Sequence, residues 1–230
     1  MNRPRTTVAA WVGVTLGGCR PQATVVTGPI APEACKQVHI VATNTASLQP
    51  FLGCHEIASL TARTGAAIDF GVLTNLETVH GDVRIGPSVA INEIALPALQ
   101  VIHGALRVAG NTAVTGVFAS RLQQVGTMEF ANNAALATIS LPKLQSVAGD
   151  FVVQRNSDLS TVLAPSLQRV KGRVGLLSCR SLEMLEFSKQ FSAGEIEMAG
   201  LPRLDWTMVP GAPPQPPQGA APTPPNDPAF

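Results

Sequence analysis

Short runs of alternating apolar and variable residues return every 22 or 23 residues, in blocks that begin at residues 82, 105, 128, 150, 173 and 195. A period of two is typical of β-strands whose outer pair faces a core and whose middle residue faces outward. The triplets that open the blocks are Val83-Arg84-Ile85, Leu106-Arg107-Val108, Met128-Glu129-Phe130, Phe151-Val152-Val153, Val174-Gly175-Leu176 and Ile196-Glu197-Met198. The pattern predicts one strand at the same place in every block.

A small residue follows each of the first five triplets three positions later, and this column contains Ser88, Asn111, Asn133, Asn156 and Cys179. A buried asparagine at a corner can satisfy backbone groups that the turn leaves unpaired. We therefore predict that Asn111, Asn133 and Asn156 form a structural ladder. Cys179 is expected to continue the ladder because its side chain is also small.

The second half of several blocks carries a Leu-Pro-x-Leu-like motif. Its copies are Leu96-Pro97-Ala98-Leu99, Leu141-Pro142-Lys143-Leu144, Ala164-Pro165-Ser166-Leu167 and Leu201-Pro202-Arg203-Leu204. Four blocks place a glutamine directly after this segment: Gln100, Gln123, Gln145 and Gln168. We favour an amide ladder, with these side chains bonding one another, and a polar strip that binds a ligand is the alternative.

No single block can bury its own apolar stripe, but stacked blocks bury all of the stripes and join their strands into parallel sheets. The composition agrees, since aromatic residues make up only 4% of the chain and Tyr is absent. Such a chain favours thin layers of Val, Leu, Ile and Ala. We predict one all-β repeat solenoid over residues 35–206, with 22–23 residues per coil.

The N-terminal segment 1–18 has a basic start and then a short apolar run, as secretory signals have. It leads into Leu16-Gly17-Gly18-Cys19, which resembles the lipobox of bacterial lipoproteins. The resemblance implies a signal peptide over 1–18 and a lipidated Cys19, and a plain secretory signal with an incidental cysteine is the alternative. Residues 19–34 are predicted to be a flexible tether, and the Pro-rich residues 207–230 a disordered tail.

The pattern L-x-V-x-x-N-x-x-L, followed by L-P-x-L-x-x-V-x-G, is similar to that of the receptor L domain, a solenoid related to leucine-rich repeats. The resemblance covers residues 35–206 and implies a right-handed, parallel β-helix-like domain. L domains commonly pair an opening cysteine with one in the following coil, which implies a disulfide between Cys35 and Cys54. The stretch 133–142 also resembles treponemal-type leucine-rich repeats, which we rank second.

In L domains the outward side of the strands often recognises a ligand, so the resemblance points to one face of the predicted sheet. The residues of this candidate face are Arg84, Arg107, Glu129, Val152, Gln154, Arg155 and Glu197. Once Cys35 and Cys54 are paired, Cys179 is the remaining cysteine of the solenoid. We interpret Cys179 as a buried structural residue rather than a reactive thiol.

Charge and spacing argue against several other functions. The formal net charge is +1, and 14 basic and 15 acidic residues follow residue 18, so no basic field attracts nucleic acid. His80 and His103 should stack in consecutive coils, but no third ligand recurs beside them, so no metal site is predicted. Glu129 and Glu197 are three coils apart, about 14 Å at strand spacing, which is too far for joint acid–base catalysis.

These observations predict a lipid-anchored protein of the bacterial cell envelope, periplasmic or at the cell surface, that contacts the membrane through its lipid. Its solenoid is expected to bind a protein or a glycan, without a cofactor and without catalytic activity. A structural or spacer lipoprotein with no dedicated ligand is the alternative. A β-helix enzyme acting on polysaccharides is the least favoured interpretation.

Overall fold

The chain folds into a parallel β-solenoid of about 7 turns, which confirms the predicted all-β repeat architecture. The computed structural model describes residues 28–214. Its strands are β1 His39–Ala42, β2 Glu56–Ile57, β3 Ser59–Ala62, β4 Thr78–Val79, β5 Val83–Ile85, β6 Glu93–Ala95, β7 Val101–Ala109, β8 Gly116–Phe118, β9 Gln124–Ala131, β10 Thr138–Ser140, β11 Ser146–Val147, β12 Phe151–Gln154, β13 Thr161–Ala164, β14 Arg169–Leu177, β15 Met184–Phe187 and β16 Ser192–Ala199. The 3-10 helices are η1 Pro32–Gln37, η2 Thr45–Phe51, η3 Phe70–Val72 and η4 Trp206–Met208.

The strands form two parallel sheets that enclose the core. The smaller sheet contains β6, β8, β10, β13 and β15, and the larger sheet contains the other eleven strands. Each strand pairs with its equivalent in the neighbouring coil, so the apolar residues of successive coils stack in rows. The buried rows consist mostly of Val, Leu and Ile, as the composition predicts.

The register of the larger sheet aligns the middle residues of the predicted triplets in one row. Cα partners run from Arg84 to Arg107, on to Glu129 and Val152, and then to Gly175 and Glu197. We call these six residues the sheet-face column. Their apolar neighbours on either side are buried in the first five strands of the column, in keeping with the predicted period of two.

The alternation between 22 and 23 residues per coil arises at a single corner. Two residues separate Ile102 from Ala105 in β7, whereas Gly126 alone fills the equivalent position in β9. The same shortening recurs between β14 and β16, where Gly194 stands alone. A Cβ atom on Gly126 would lie 2.4 Å from the backbone oxygen of His103, so the short corner requires glycine.

Four buried phenylalanine rings form a cluster in the C-terminal half of the core. Phe130 and Phe151 meet edge to face with ring centroids 6.4 Å apart, and Phe151 lies 6.1 Å from Phe187. Phe187 stacks on Phe191 at 4.5 Å. This cluster links β9, β12 and β15 to the turn before β16, while Phe51 and Phe70 are buried nearer the N-terminal end.

Both ends of the solenoid are covered by segments that reach beyond the predicted boundaries of 35 and 206. At the N-terminal end the backbone N–H of Ile30 donates to the carbonyl oxygen of Pro50 at 3.0 Å, and η1 begins at Pro32. At the C-terminal end Trp206 and Val209 are buried. The fold therefore extends into residues 30–34, which were predicted to belong to the tether, and into residues 207–212, which were predicted to belong to the tail. Within residues 28–214, no helix has the length and apolar character that crossing a membrane requires.

The motif at Leu201-Pro202-Arg203-Leu204 lies in a different part of the coil from the other Leu-Pro-x-Leu motifs. The pairing of Leu177 with Ala199 places Leu201 beside Cys179, directly after a strand of the larger sheet. The other copies precede such a strand. The prediction that the four motifs are equivalent was therefore wrong at its last copy, because a short Leu/Pro pattern carries no information about which corner it occupies.

Candidate functional site

The charged side chains of the sheet-face column are already paired with protein groups. The Arg107 guanidinium lies 3.2 Å from the Glu129 carboxylate, across the β7–β9 pair. Arg84 contacts Asp82 at 2.6 Å. Glu197 contacts Arg173 at 2.6 Å, diagonally across the β14–β16 pair. All of these side chains are partly exposed, so each pair contributes at most about 1 kcal/mol to stability.

Between the ion pairs the outward side of the larger sheet is uncharged. We call this area the central patch and define it as Val152, Gln154, Gly175 and Leu177. Val152 pairs with Gly175 and Gln154 with Leu177, so the four residues form two adjacent rows. A Cβ atom on Gly175 would lie 3.7 Å from the Val152 methyl groups, an ordinary contact. Because Gly175 has no side chain, the central patch forms a shallow depression between the Arg107–Glu129 and Arg173–Glu197 pairs.

Arg155, another member of the predicted face, lies where the chain leaves the sheet. Its φ angle is 53°, in the left-handed region. The equivalent residues of neighbouring coils share this conformation: Gly110, Asn132, Ser178 and Gly200. Arg155 thus occupies a turn position, while its side chain is exposed beside the central patch.

The residues that directly follow these turn positions form the asparagine ladder, which comprises Asn111, Asn133, Asn156 and Cys179. All four side chains are fully buried. Asn111 Nδ2 donates to Asn133 Oδ1 at 2.9 Å, and Asn133 Nδ2 donates to Asn156 Oδ1 at 3.1 Å. Each asparagine amide also donates to a strand carbonyl of the preceding coil, namely that of Ile85, Val108 or Phe130. The ladder therefore satisfies backbone groups inside every corner it passes.

Cys179 takes the place of the next asparagine. Its Sγ lies 3.8 Å from the carbonyl oxygen of Val153, where an asparagine amide would donate. The backbone and side-chain N–H groups of Asn156 approach the sulfur. Burial raises the pKa of the Cys179 thiol, and the Asn156 N–H groups offset only part of this rise. Cys179 thus has the environment of a structural thiol rather than of a nucleophile.

The ladder is incomplete at its N-terminal end. Asn111 Oδ1 is buried without a hydrogen-bond partner, because the preceding coil carries Ser88 instead of asparagine. Ser88 forms a backbone bridge with Asn111, but its hydroxyl faces the N–H groups of Ala90 and Ile91. Gly86, whose φ angle is 110°, lies against the side chain of Asn111. A Cβ atom at position 86 would lie 2.7 Å from Asn111 Oδ1, so this close contact requires glycine.

Histidines and acids cluster at the N-terminal end of the larger sheet. His80 and His103 stack with ring centroids 5.6 Å apart, as predicted, and His80 Nε2 lies 2.6 Å from Glu56 Oε2. The hydrogen bond with His80 holds the pKa of Glu56 below its ordinary value, and Lys36 lowers it further, while burial opposes both. No group of three metal-ligating side chains occurs within the described residues 28–214.

The other predicted cysteine sites differ in what the structure shows of them. Cys35 and Cys54 form a disulfide with their Cα atoms 5.6 Å apart, which fixes η1 to the first coil. Disulfides are typical of compartments outside the cytosol, so the bond favours an exported protein. Cys19 lies outside the described residues, and its lipidation stays a prediction.

The sequence reasoning missed the ion pairs of the larger sheet. Arg107 and Glu129 belong to consecutive blocks at the same position, so the block alignment already contained the signal for this pair. Arg173 and Glu197 are diagonal neighbours, two residues out of register, and only the twist and side-chain reach of the folded sheet bring them together. The candidate face is therefore less charged toward a partner than its residue types suggest.

Comparison of the chain with protein-family models, with curated proteins and with solved structures gave no match. The assignment of the repeat solenoid is therefore based on the register of its strands. The resemblance to receptor L domains is based on the repeat pattern alone and stays a prediction.

Proposed function

We propose that this chain is a lipid-anchored protein of the cell envelope whose solenoid docks a partner macromolecule, a protein or a glycan. The docking surface is the outward side of the larger sheet, centred on the central patch. The observation that carries the proposal is the alignment of Val152, Gly175 and Leu177 as an uncharged area between two ion pairs. An apolar centre with a polar rim is the arrangement common to protein interfaces.

The lipid anchor and the docking surface support one another. A lipid on Cys19 would place the solenoid at a membrane surface, and the residues between Cys19 and Gly28 would set its distance from the bilayer. The disulfide between Cys35 and Cys54 fits an oxidising compartment beyond that membrane. A solenoid that presents one open sheet face there is suited to capture rather than to catalysis.

A structural or spacer role is the second candidate, and one observation favours it. The charges of the sheet-face column bond within the chain, through Arg84–Asp82, Arg107–Glu129 and Arg173–Glu197. A face whose charges are already paired has less to offer a charged partner. The two candidates differ in whether a particular spot on the sheet is in contact with another molecule.

Site-specific photo-crosslinking in intact cells separates the candidates. A photoreactive phenylalanine derivative replaces Val152 in the full chain, and the control replaces Lys143, an exposed residue outside the larger sheet. Docking predicts a discrete adduct from position 152 and none from position 143. Adding Arg84→Glu and Arg107→Glu should remove that adduct, whereas Arg121→Glu with Lys143→Glu should leave it. No adduct at position 152, or equal adducts at both positions, would favour the spacer role.

A further inference from the structure

A second polar row runs along the solenoid at the corner that precedes the larger sheet. The backbone N–H groups of Gln100, Gln123, Gln145 and Gln168 each bond to the residue one coil earlier, with N–O distances of 2.8, 2.8, 2.8 and 2.9 Å. The same series extends upstream through Glu77 to His55. We call these six residues the corner strip: His55, Glu77, Gln100, Gln123, Gln145 and Gln168.

The glutamine side chains of the corner strip do not bond one another. Within the described residues none of the four carboxamides makes a hydrogen bond, although the backbones beneath them are in continuous register. The predicted amide ladder is therefore wrong. The asparagine ladder shows the contrast, since its amides are buried and must pair, whereas Gln100 and Gln123 are half-exposed and Gln145 and Gln168 are exposed.

The row of free amides has a defined chemistry and a defined repeat. Each carboxamide offers a donor and an acceptor, and none of the four is charged. Neighbouring amides are one strand spacing apart, about 4.8 Å, so the four glutamines span about 14 Å. In the adjoining column Thr78, Gln124 and Ser146 are uncharged and polar, whereas Val101 is apolar and Arg169 is charged. The glutamine row itself therefore matches an uncharged polymer that repeats donors and acceptors at a similar interval.

We propose that the corner strip binds a linear β-linked glycan that lies along the solenoid axis, with about one sugar for each coil. Sugar hydroxyls both donate and accept, and acetamido groups are carboxamides like the glutamine side chains, so both complement the strip. The corner strip lies outside the central patch, and its proposed glycan binding does not depend on the docking function proposed above. Since no aromatic side chain supplies a stacking platform in the glutamine row, affinity must come from repeated weak contacts.

This mode of binding predicts that affinity depends on glycan length. Calorimetric titration of the full chain with N-acetylglucosamine oligomers of increasing length should show affinity rising with each added sugar. The rise should level off once the oligomer spans the corner strip. Equal affinity for a dimer and a longer oligomer, or no binding at millimolar concentration, would overturn the proposal.

Two variants locate the site. Gln123→Ala combined with Gln145→Ala removes the central pair of amides and should weaken binding about tenfold or more. Gln49→Ala is the matched control, since it makes the same chemical change at an exposed glutamine of η2, outside both the corner strip and the central patch, and it should bind as the parent does. Thermal melting verifies that both variants fold. Unchanged affinity in the double variant, or lost affinity in the control, would reject the corner strip, and neither result bears on the crosslink at position 152.

Discussion

At the scale of single residues, burial decides what a repeated amide does. Asn133 serves three groups at once, since its oxygen accepts from Asn111 and its amide donates to Asn156 and to the Val108 carbonyl. Each of these bonds lies inside the core, where an unpaired polar group costs about 1–3 kcal/mol. Each hydrogen bond of the ladder therefore adds to the stability of the corners, and each missing one lowers it.

The sulfur of Cys179 tests this view of the ladder. Cys179→Ala leaves the Asn156 N–H groups without their acceptor and should lower the free energy of unfolding by about 1–3 kcal/mol. Cys179→Asn restores an acceptor and a donor, so it should be more stable than the alanine variant. Urea denaturation measures both. An alanine variant as stable as the asparagine variant would contradict a role of the sulfur as acceptor.

The reactivity of the same residue gives a second test. Because Cys179 is fully buried and its thiol pKa is raised, the folded protein should not react with a maleimide, whereas the protein in urea should react at once. Mass spectrometry after brief labelling distinguishes the two states. Rapid labelling of the folded chain at Cys179 would show that the thiol is accessible and functional.

Left-handed turn residues provide a prediction about backbone strain. Arg155 has a φ of 53°, a conformation that costs an ordinary L-residue about 1–2 kcal/mol, and Gly in its place would lose about 0.5–1 kcal/mol to chain entropy. Arg155→Gly should therefore raise stability by up to about 1 kcal/mol. Asn132→Gly is the control, since asparagine tolerates this conformation, and it should give no gain in thermal melting. Equal effects of the two changes would show that strain at Arg155 is not relieved.

At the scale of elements, the strands were predictable and the corners were not. A period of two and an in-phase repeat suffice to align Arg84 with Arg107 and Glu129, because every side chain in a strand has only two directions to take. Corners follow no such rule. The Leu-Pro-x-Leu pattern by itself does not show that Leu201 follows a strand, although Leu201 lies three residues after the Ile196-Glu197-Met198 triplet, at the position of the asparagine column.

The glutamines illustrate the same difference in predictability. Gln100 and Asn111 recur with the same period, so the repeat alone cannot tell an amide that must pair from one that faces water. Their burial depends on whether the chain turns inward or outward at that corner. Only the folded backbone settles that direction.

The N-terminal element carries a pH-dependent contact. Folding lowers the pKa of Glu56 from its ordinary value of 4.5, so the charged carboxylate contributes stability above that value and loses it as the pH falls through the lowered pKa. Glu56→Gln should therefore melt at a lower temperature than the parent at pH 7. The two melting curves should converge once the pH falls below the lowered pKa of Glu56.

Glu93→Gln is the control for this prediction, since Glu93 is exposed on β6, away from the histidines. Its melting temperature should follow that of the parent at every pH. A Glu56→Gln difference that persists unchanged in acid would show that the contact with His80 contributes through packing rather than charge.

At the scale of the whole molecule, the solenoid carries the central patch and the corner strip at different places on its surface. The central patch lies on the outward side of the larger sheet and the corner strip at the corner that precedes it, so the two ligands proposed for them would not compete. The predicted anchor at Cys19 adds a third point of attachment. The functions proposed for the two surfaces are stated only as classes of ligand, since neither surface carries a motif that specifies one.

The anchor itself is open to a direct test. Cells that express the full chain and are fed a clickable fatty acid should incorporate it into the protein, and Cys19→Ser should abolish the label and release the protein from the membrane fraction. Cys179→Ser retains Cys19 and should stay labelled and membrane-bound. Labelling that survives Cys19→Ser would contradict lipidation at that residue.

The direction of the asparagine ladder limits how the number of coils can change by gene duplication. A copied block bearing Asn133 or Asn156 would enter the column with every donor and acceptor matched. Beyond Cys179 the column ends on Leu201, which offers neither, and Trp206 and Val209 cover the last coil. A longer version of this protein would therefore grow by duplicating its central blocks, while the terminal coils kept their number and their sequence.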